Sequence, residues 1–219
     1  MGSVEVTTWG HSAVRFERAG QRLVIDPGVL SDPAVMEGAH AVLITHEHAD
    51  HVVPAALAAA QGASSDLQVW APAGVVGQLV TAEAPIERVH RADVGDTFSA
   101  AGFTVQALGG DHAVVHPTLA TPVNLAYLIE GMALHPGDSF TPPSEGTNIE
   151  LLLLPVSAPW LKLAESVDYV RQVAPTVAVP IHDAVLSDHG RVLTDQILTN
   201  LAGSDYRRIN SGDALTLSH

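Results

Sequence analysis

Between Thr45 and His51 the chain reads THEHADH, which sets three imidazoles and two carboxylates within six residues of one another. On an extended segment residues i and i+2 share a face, so His46 and His48 can point at one cation. Asp50 and His51 come where the chain bends toward a helix, and they can face a second cation beside the first. Imidazole and carboxylate are the ligands expected for Zn, Fe or Mn where thiolate is absent, and the chain has no cysteine. At this composition, three His and one Asp at that spacing arise by chance on the order of once in four hundred chains. Partners further along therefore decide the matter.

The partners stand at the ends of apolar runs. His112 follows FTVQAL in the segment LGGDHAVVHP, Asp138 follows MAL in LHPGDS, and His182 follows TVAV in AVPIHDA. Loops that leave strand ends are free to carry side chains into a site. The segment around His112 offers two histidines. His112 is preferred because it follows its strand directly, and His116 remains the rival. In HPGDS, Pro136 and Gly137 force a tight turn that can aim Asp138 inward. Its two oxygens could then each take one cation.

As a set, H-x-H-x-D-H, a distant His, a Gly-Asp pair and a final His after an apolar strand resembles the metallo-β-lactamase superfamily. The start, WGHSAVRFE…RLVIDPG, resembles more narrowly the branch of metal-dependent hydrolases that includes the L-ascorbate-6-phosphate lactonases. The resemblance runs from Trp9 to about His182. It implies a four-layer αββα sandwich with the site at one edge of two sheets. It also implies that His46, His48 and His112 hold one metal, that Asp50, His51 and His182 hold the other, and that Asp138 bridges them. The cofactors would be two divalent ions, Zn first, with Mn or Fe open.

Other residues near the motifs carry weaker signals. His11, in WGHSA, is read as a catalytic-site residue, contacting substrate or supporting a ligand, on the strength of the resemblance. Asp50 and Asp138 join it as catalytic residues. Asp26, in VIDPG, is either a carboxylate that orients a ligand His or a plain turn residue before Pro27. His135 either lines the pocket or is structural. Trp160 either covers the site or packs in the core, and Asp183 caps or orients its loop. His40, His90, His189 and His219 have no supporting context and are read as structural or solvated.

Elements that would position these residues are visible along the chain. VEVTTWG, AVRFERAG and RLVIDPG read as an antiparallel meander. HAVLIT is nearly all apolar, as a strand buried on both faces would be. VVPAALAAAQGA reads as a helix with Pro54 in its first turn and Gly62 beyond its alanine-rich body. LQVWAP and AGVVGQLVTAEAP follow as strand and helix. Short strands with Gly-Asp and Ala-Gly turns cover ERVHRADVGDTFSAAGFTVQALGGDH, and a hairpin turns at Glu130-Gly131. The strand IELLLLPV, the helix KLAESVDYVRQVA, the strand TVAVPIHD and the helix GRVLTDQILTNLA come next. YRRINSGDALTLSH closes the chain as a hairpin-like segment. No linker or repeat divides residues 1–219, so one domain is expected, with sheets packed on each other and helices outside.

Composition narrows the function. With 219 residues, 47% apolar and 16% charged, the chain is a well-packed globular protein. A net charge of -14 repels phosphate backbones, which argues against nucleic acid. No apolar run is long enough for a membrane span. No signal peptide is seen, so the cytoplasm is the expected location. The leading expectation is a two-metal hydrolase, in which metal-activated water attacks an ester, lactone or phosphoester of a small molecule without a Ser or Cys nucleophile. The alternative is a non-hydrolytic metal-binding or redox protein with the same ligands. A homo-oligomer is open.

Overall fold

The computed structural model describes residues 2–210 and 213–218. The meander is present as β1 (Val4–Thr8), β2 (Val14–Arg18) and β3 (Gln21–Ile25), paired antiparallel in sequence order. Ala19 and Gly20 join β2 to β3 with φ of 52° and 78°, the primed-turn backbone whose twist suits a two-residue hairpin. Then the chain crosses over, and the next strands add in parallel: β4 (Ala41–Leu43), β5 (Gln68–Ala71) and β6 (Val89–Arg91). Helix α1 (Pro54–Ala63) separates β4 from β5, and α2 (Ala73–Thr81) separates β5 from β6.

A second sheet repeats the plan. β7 (Thr97–Ala100), β8 (Phe103–Asp111), β9 (Val123–Ile129) and β10 (Ala133–His135) pair antiparallel in turn. β11 (Leu151–Pro155), β12 (Val177–Ile181) and β13 (Asp205–Tyr206) then add in parallel. Helix α3 (Leu163–Val173) lies between β11 and β12, and α4 (Asp188–Leu201) lies between β12 and β13. The Ser187 hydroxyl caps α4 by accepting from Gly190 N–H at 3.1 Å.

Three apolar layers hold the stack. Phe16, Leu23, Ile25 and Leu43 of the first sheet meet Phe103, Val105, Leu125 and Leu153 of the second in a core between the sheets. The other face of the first sheet takes Leu57 of α1 and Val75 and Leu79 of α2. The other face of the second takes Val167, Val170 and Val173 of α3 and Leu198 of α4. This is the αββα sandwich expected, and it explains why β4, β11 and β12 are buried at every position.

Two expectations need correction. Helix α1 begins at Pro54 rather than at Val52, with Val53 as its N-cap, and ends at Ala63 as read. The closing segment is not a hairpin. β13 pairs with β12 in the second sheet, whereas β14 (Ala214–Leu217) pairs with β1 in the first. The two strands bridge the sheets instead of pairing with each other. Ser211 and Gly212 in that segment, and His219 at its end, lie outside the described residues.

The sheets are also tied where β4 ends. Leu125 N–H donates to Thr45 O at 2.9 Å, and the buried Tyr127 hydroxyl donates to Ile44 O at 2.9 Å. Tyr127→Phe strands that carbonyl in the core. We expect it to cost about 1–3 kcal/mol in a denaturant titration, with an unchanged circular dichroism spectrum.

Candidate metal centre

Strand direction brings the polar residues together. β1, β3 and β4 run parallel in the first sheet, and β8, β10, β11 and β12 run parallel in the second. Their C-terminal ends therefore share one edge, where the loops carry His11, Asp26, His46–His51, His112, Asp138, Trp160 and His182. Two sets of donors form there, each with ligand atoms within 4.8 Å of one another: His46, His48, His112 and Asp138, and His11, Asp50, His51 and His182.

Glycines allow the close packing. A Cβ on Gly28, in DPG, would lie 2.0 Å from the backbone carbonyl of Asp50, so only glycine lets the β3 loop lie against the His46–His51 loop. Gly137 has φ +60°, and a Cβ there would sit 2.3 Å from Asn124 Oδ1. Asn124 in turn accepts from Asp138 N–H at 2.9 Å and donates to Pro136 O at 2.9 Å. The tight turn expected before Asp138 is thus fixed from β9.

Four of the imidazoles are oriented through Nδ1, whereas His48 turns its Nδ1 to His46 Nε2 at 3.0 Å. His51 Nδ1 lies 2.7 Å from Asp26 Oδ2, His112 Nδ1 is 2.6 Å from Ala113 O, and His182 Nδ1 is 2.5 Å from Ser157 O. His46 Nδ1 is 3.0 Å from Thr45 Oγ1, which itself donates to Asp26. An Nδ1 proton donated outward leaves the Nε2 lone pair facing inward, as in histidines that bind metal. Consistent with this, His51 Nε2, His112 Nε2, His182 Nε2 and Asp138 Oδ1 are buried without a hydrogen-bond partner. Buried polar atoms are seldom left so. Four of them aimed into one space, with a donor set of imidazole and carboxylate, fit divalent cations.

Asp138 lies between the sets. Its Oδ1 is 3.2 Å from both His51 Nε2 and His182 Nε2, and its Oδ2 is 3.3 Å from His112 Nε2. Burial would raise its pKa, but the three imidazoles hold it well below the usual carboxylate range. The same field acts in reverse. Burial would lower His51, yet Asp26 and Asp138 outweigh it and raise that imidazole to about 10. His182 is raised to about 9, its burial outweighed by Asp138 and Asp50. Burial prevails at His46, which lies well below its ordinary value. The carboxylates that raise His51 and His182 would equally attract a cation placed between those rings.

His11 differs from the others. Its Nδ1 accepts from Ala184 N–H at 3.3 Å, so the proton sits on Nε2, which faces Asp50 Oδ2 at 3.1 Å. The ring is a donor to Asp50, not a lone pair turned to a cation. Its backbone oxygen also accepts from His182 N–H at 2.9 Å.

Other residues fall on both sides of expectation. Asp26 is fully buried and orients His51. Trp160 is half-buried beside the centre and donates to Asp138 Oδ2 at 2.9 Å. His135 does not line the pocket; it is buried, facing Ser12 O at 3.0 Å and accepting from Gly137 N–H at 3.2 Å. His116 is exposed and pairs with Thr118, outside both sets. Asp183 fixes its loop by pairing with Arg208 and with Arg191. His40 accepts from Arg22 N–H, His90 pairs with Gln68, and His189 lies in the first turn of α4, all outside both sets. Sequence reasoning missed Thr45 and Asn124. Each is a lone polar residue at the end of an otherwise apolar strand, and that is the signal that would have found them.

A model described as the beta-lactamase superfamily domain matches residues 5–182. The chain belongs to that superfamily and, within it, to the UPF0173 family of metal-dependent hydrolases. It is 35% identical over 219 residues to Protein Rv0786c of Mycobacterium tuberculosis, covering 97% of this chain and 100% of the relative. It is 30% identical over 207 residues to a UPF0173 metal-dependent hydrolase of Myxococcus xanthus, covering 83% of this chain and 71% of that one. Among solved structures, the metallo-beta-lactamase fold protein YhfI from Bacillus subtilis superposes with a TM-score of 0.73 at 18% identity. It covers 98% of this chain and 99% of its own. No helix among the described residues is long and apolar enough to cross a membrane.

Two measurements check this geometry. Asp26→Asn should weaken zinc binding by about 10–100-fold in a chelator competition, since it removes the carboxylate that orients His51. Long-range 1H–15N spectra of the protein should show His11 protonated at Nε2. The Nδ1–H pattern there would make His11 a ligand instead.

Proposed function

We propose that the chain is a binuclear metal-dependent hydrolase acting on an ester, lactone or phosphoester of a small molecule. One observation carries the reading: the two oxygens of Asp138 face two separate imidazole sets. His46, His48 and His112 would hold one divalent cation, and Asp50, His51 and His182 the other, with Asp138 shared. Zn suits this donor set first, and Mn or Fe can use it. Such a pair, when bound, lowers the pKa of a shared water and neutralises the charge that develops on the attacked group.

The chain's own residues do the rest. Asp26, Thr45 and the carbonyls of Ala113 and Ser157 fix the imidazoles before any substrate arrives, so little reorganisation is left for the reaction. His11 holds the Asp50 carboxylate in place through Nε2–H. Asp50 has a side chain 30% exposed, against 5% for Asp138. It is therefore the carboxylate at the mouth. Burial would raise its pKa, but the hydrogen bonds from His11 and His182 hold it well below the usual carboxylate range. It is thus placed to accept a hydrogen bond from the attacking water and orient it. The Trp160 indole N–H donates to Asp138 Oδ2 and would steady that carboxylate. The acidic surface disfavours nucleic acid, and the setting we propose is a cytoplasmic protein without a membrane partner.

Asp138→Asn tests the bridge. An amide offers one acceptor oxygen and no charge, so it binds two cations poorly. Bound metal should fall toward one ion per chain and turnover by orders of magnitude, while the fold stays intact. In the unaltered protein, a chelator should abolish turnover, and Zn or Mn should restore it. A full two-metal load with near-normal turnover in the mutant would end the assignment.

A further inference from the structure

We propose that this centre takes a neutral carbonyl compound with an apolar arm, an aliphatic lactone or ester rather than a phosphoester. The inference rests on the hydrolase reading above and narrows it. Four loops surround the polar residues: 27–31, 113–122, 156–161 and 184–187. Each touches the centre. Val29 N–H donates to Ala49 O, Ala113 N–H to Asp138 O, and Ala184 N–H to His11 Nδ1, while Ser157 O faces His182 Nδ1. Between its flanking strands the loop 112–122 carries no Asp, Glu, Lys or Arg, and the other three carry only Asp26 and Asp32, Lys162, and Asp183 at their ends.

Apolar side chains stand there in solvent instead. Val29, Val114 and Leu119 are each 59% exposed, and Val185 is 63% exposed. A single exposed apolar residue needs no explanation. Several gathered on the loops around one polar centre mark a surface that meets apolar ligand. A cavity of about 60 Å³ also opens directly against His48 and His112, walled by Val115, Leu119 and Pro122, with Thr121 its polar member. It has room for a short apolar segment, since about 10–15 Å³ of such space already holds one water. An arm seated there would place its carbonyl beside the imidazoles.

A phosphoester needs more. Phosphate is usually recognised by arginine or lysine with charge-assisted hydrogen bonds. Arg191 and Arg208 line a different cavity, on the Ala184 side of His11. There they pair with Asp183, and Arg208 also pairs with Asp195. Lys162, the first cation beyond the 156–161 loop, is exposed in water at the start of α3. The charge of -14 repels an anion from afar.

The test uses the zinc-loaded protein, a γ-lactone series from butyrolactone to decalactone, and bis(p-nitrophenyl) phosphate. Binding is read from methyl resonances of Val115 and Leu119, and turnover is measured separately. Affinity should rise about three- to fourfold per added methylene until the cleft is filled, then level off. The phosphodiester should leave those methyl resonances unmoved and turn over far more slowly. Leu119→Asp, at an exposed position, should flatten the lactone series without loss of fold. A flat series in the unaltered protein, an unchanged series in Leu119→Asp, or faster turnover of the phosphodiester would each overturn the inference. Lactones that bind as expected but never turn over would leave the apolar subsite standing and defeat the hydrolase reading, so the two failures are distinct.

Discussion

The centre hangs on one buried contact, Asp26 Oδ2 to His51 Nδ1 at 2.7 Å, with neither side chain exposed. A carboxylate buried in an apolar edge is costly unless it is paired and fully hydrogen-bonded. Asp26 meets that demand by also accepting from Thr45 N–H at 2.8 Å and from the Thr45 hydroxyl at 2.7 Å. The end of β3 is thereby locked to the end of β4. The Thr45 hydroxyl faces His46, so one carboxylate sets the angle of an imidazole in each donor set. Removing it would free two rings and leave a hydroxyl and an amide unsatisfied.

That contact works because the sandwich supplies two edges at once. The first sheet offers the ends of β1, β3 and β4, and the second offers β8, β10, β11 and β12. Neither sheet alone holds a complete donor set: His46 and His48 come from the first, whereas His112 and Asp138 come from the second. The core between Phe16, Leu43, Phe103 and Leu153 therefore does more than stabilise the fold. It sets the separation of the two halves of the site. Interiors packed at crystal-like density resist small displacements, and the ties from Leu125 and Tyr127 to the end of β4 pin that edge.

Much of this was legible in the sequence, for physical reasons. The donors are local motifs at strand ends, and the strands announce themselves by continuous apolar runs such as Leu151–Leu154. The layer order followed from runs of strands giving way to strand–helix alternation. What stayed hidden was non-local. The partner of a two-residue strand such as Asp205–Tyr206 cannot be read from its own residues. The choice between His112 and His116 turned on where a loop carries them. Trp160 read as a core aromatic as readily as a cover, because only the fold brings its indole to Asp138. Thr45 and Asn124 looked like strand residues because their partners lie 19 and 14 positions away.

Backbone conformation shows a further layer that the sequence concealed. His11, Asp26 and His182 have φ of 49°, 52° and 58°. That left-handed region suits glycine and costs other residues on the order of 1–3 kcal/mol each. Elsewhere, as at Ala19-Gly20 and Ala101-Gly102, positive φ falls in hairpin turns where strand twist requires it. At the centre such a turn accounts for His11, between β1 and β2, but not for Asp26 or His182, where the chain leaves β3 and β12 toward parallel strands. Glycine would relieve the strain but would carry no imidazole or carboxylate, so the side-chain requirement prevails. The cost is offset by bonds that only this backbone permits: His182 N–H to His11 O, and Asp26 N–H to Leu43 O at 3.1 Å. Each strained residue is thus held by a neighbouring strand end of the site. The donors are preorganised because the fold, not the local chain, determines where they point.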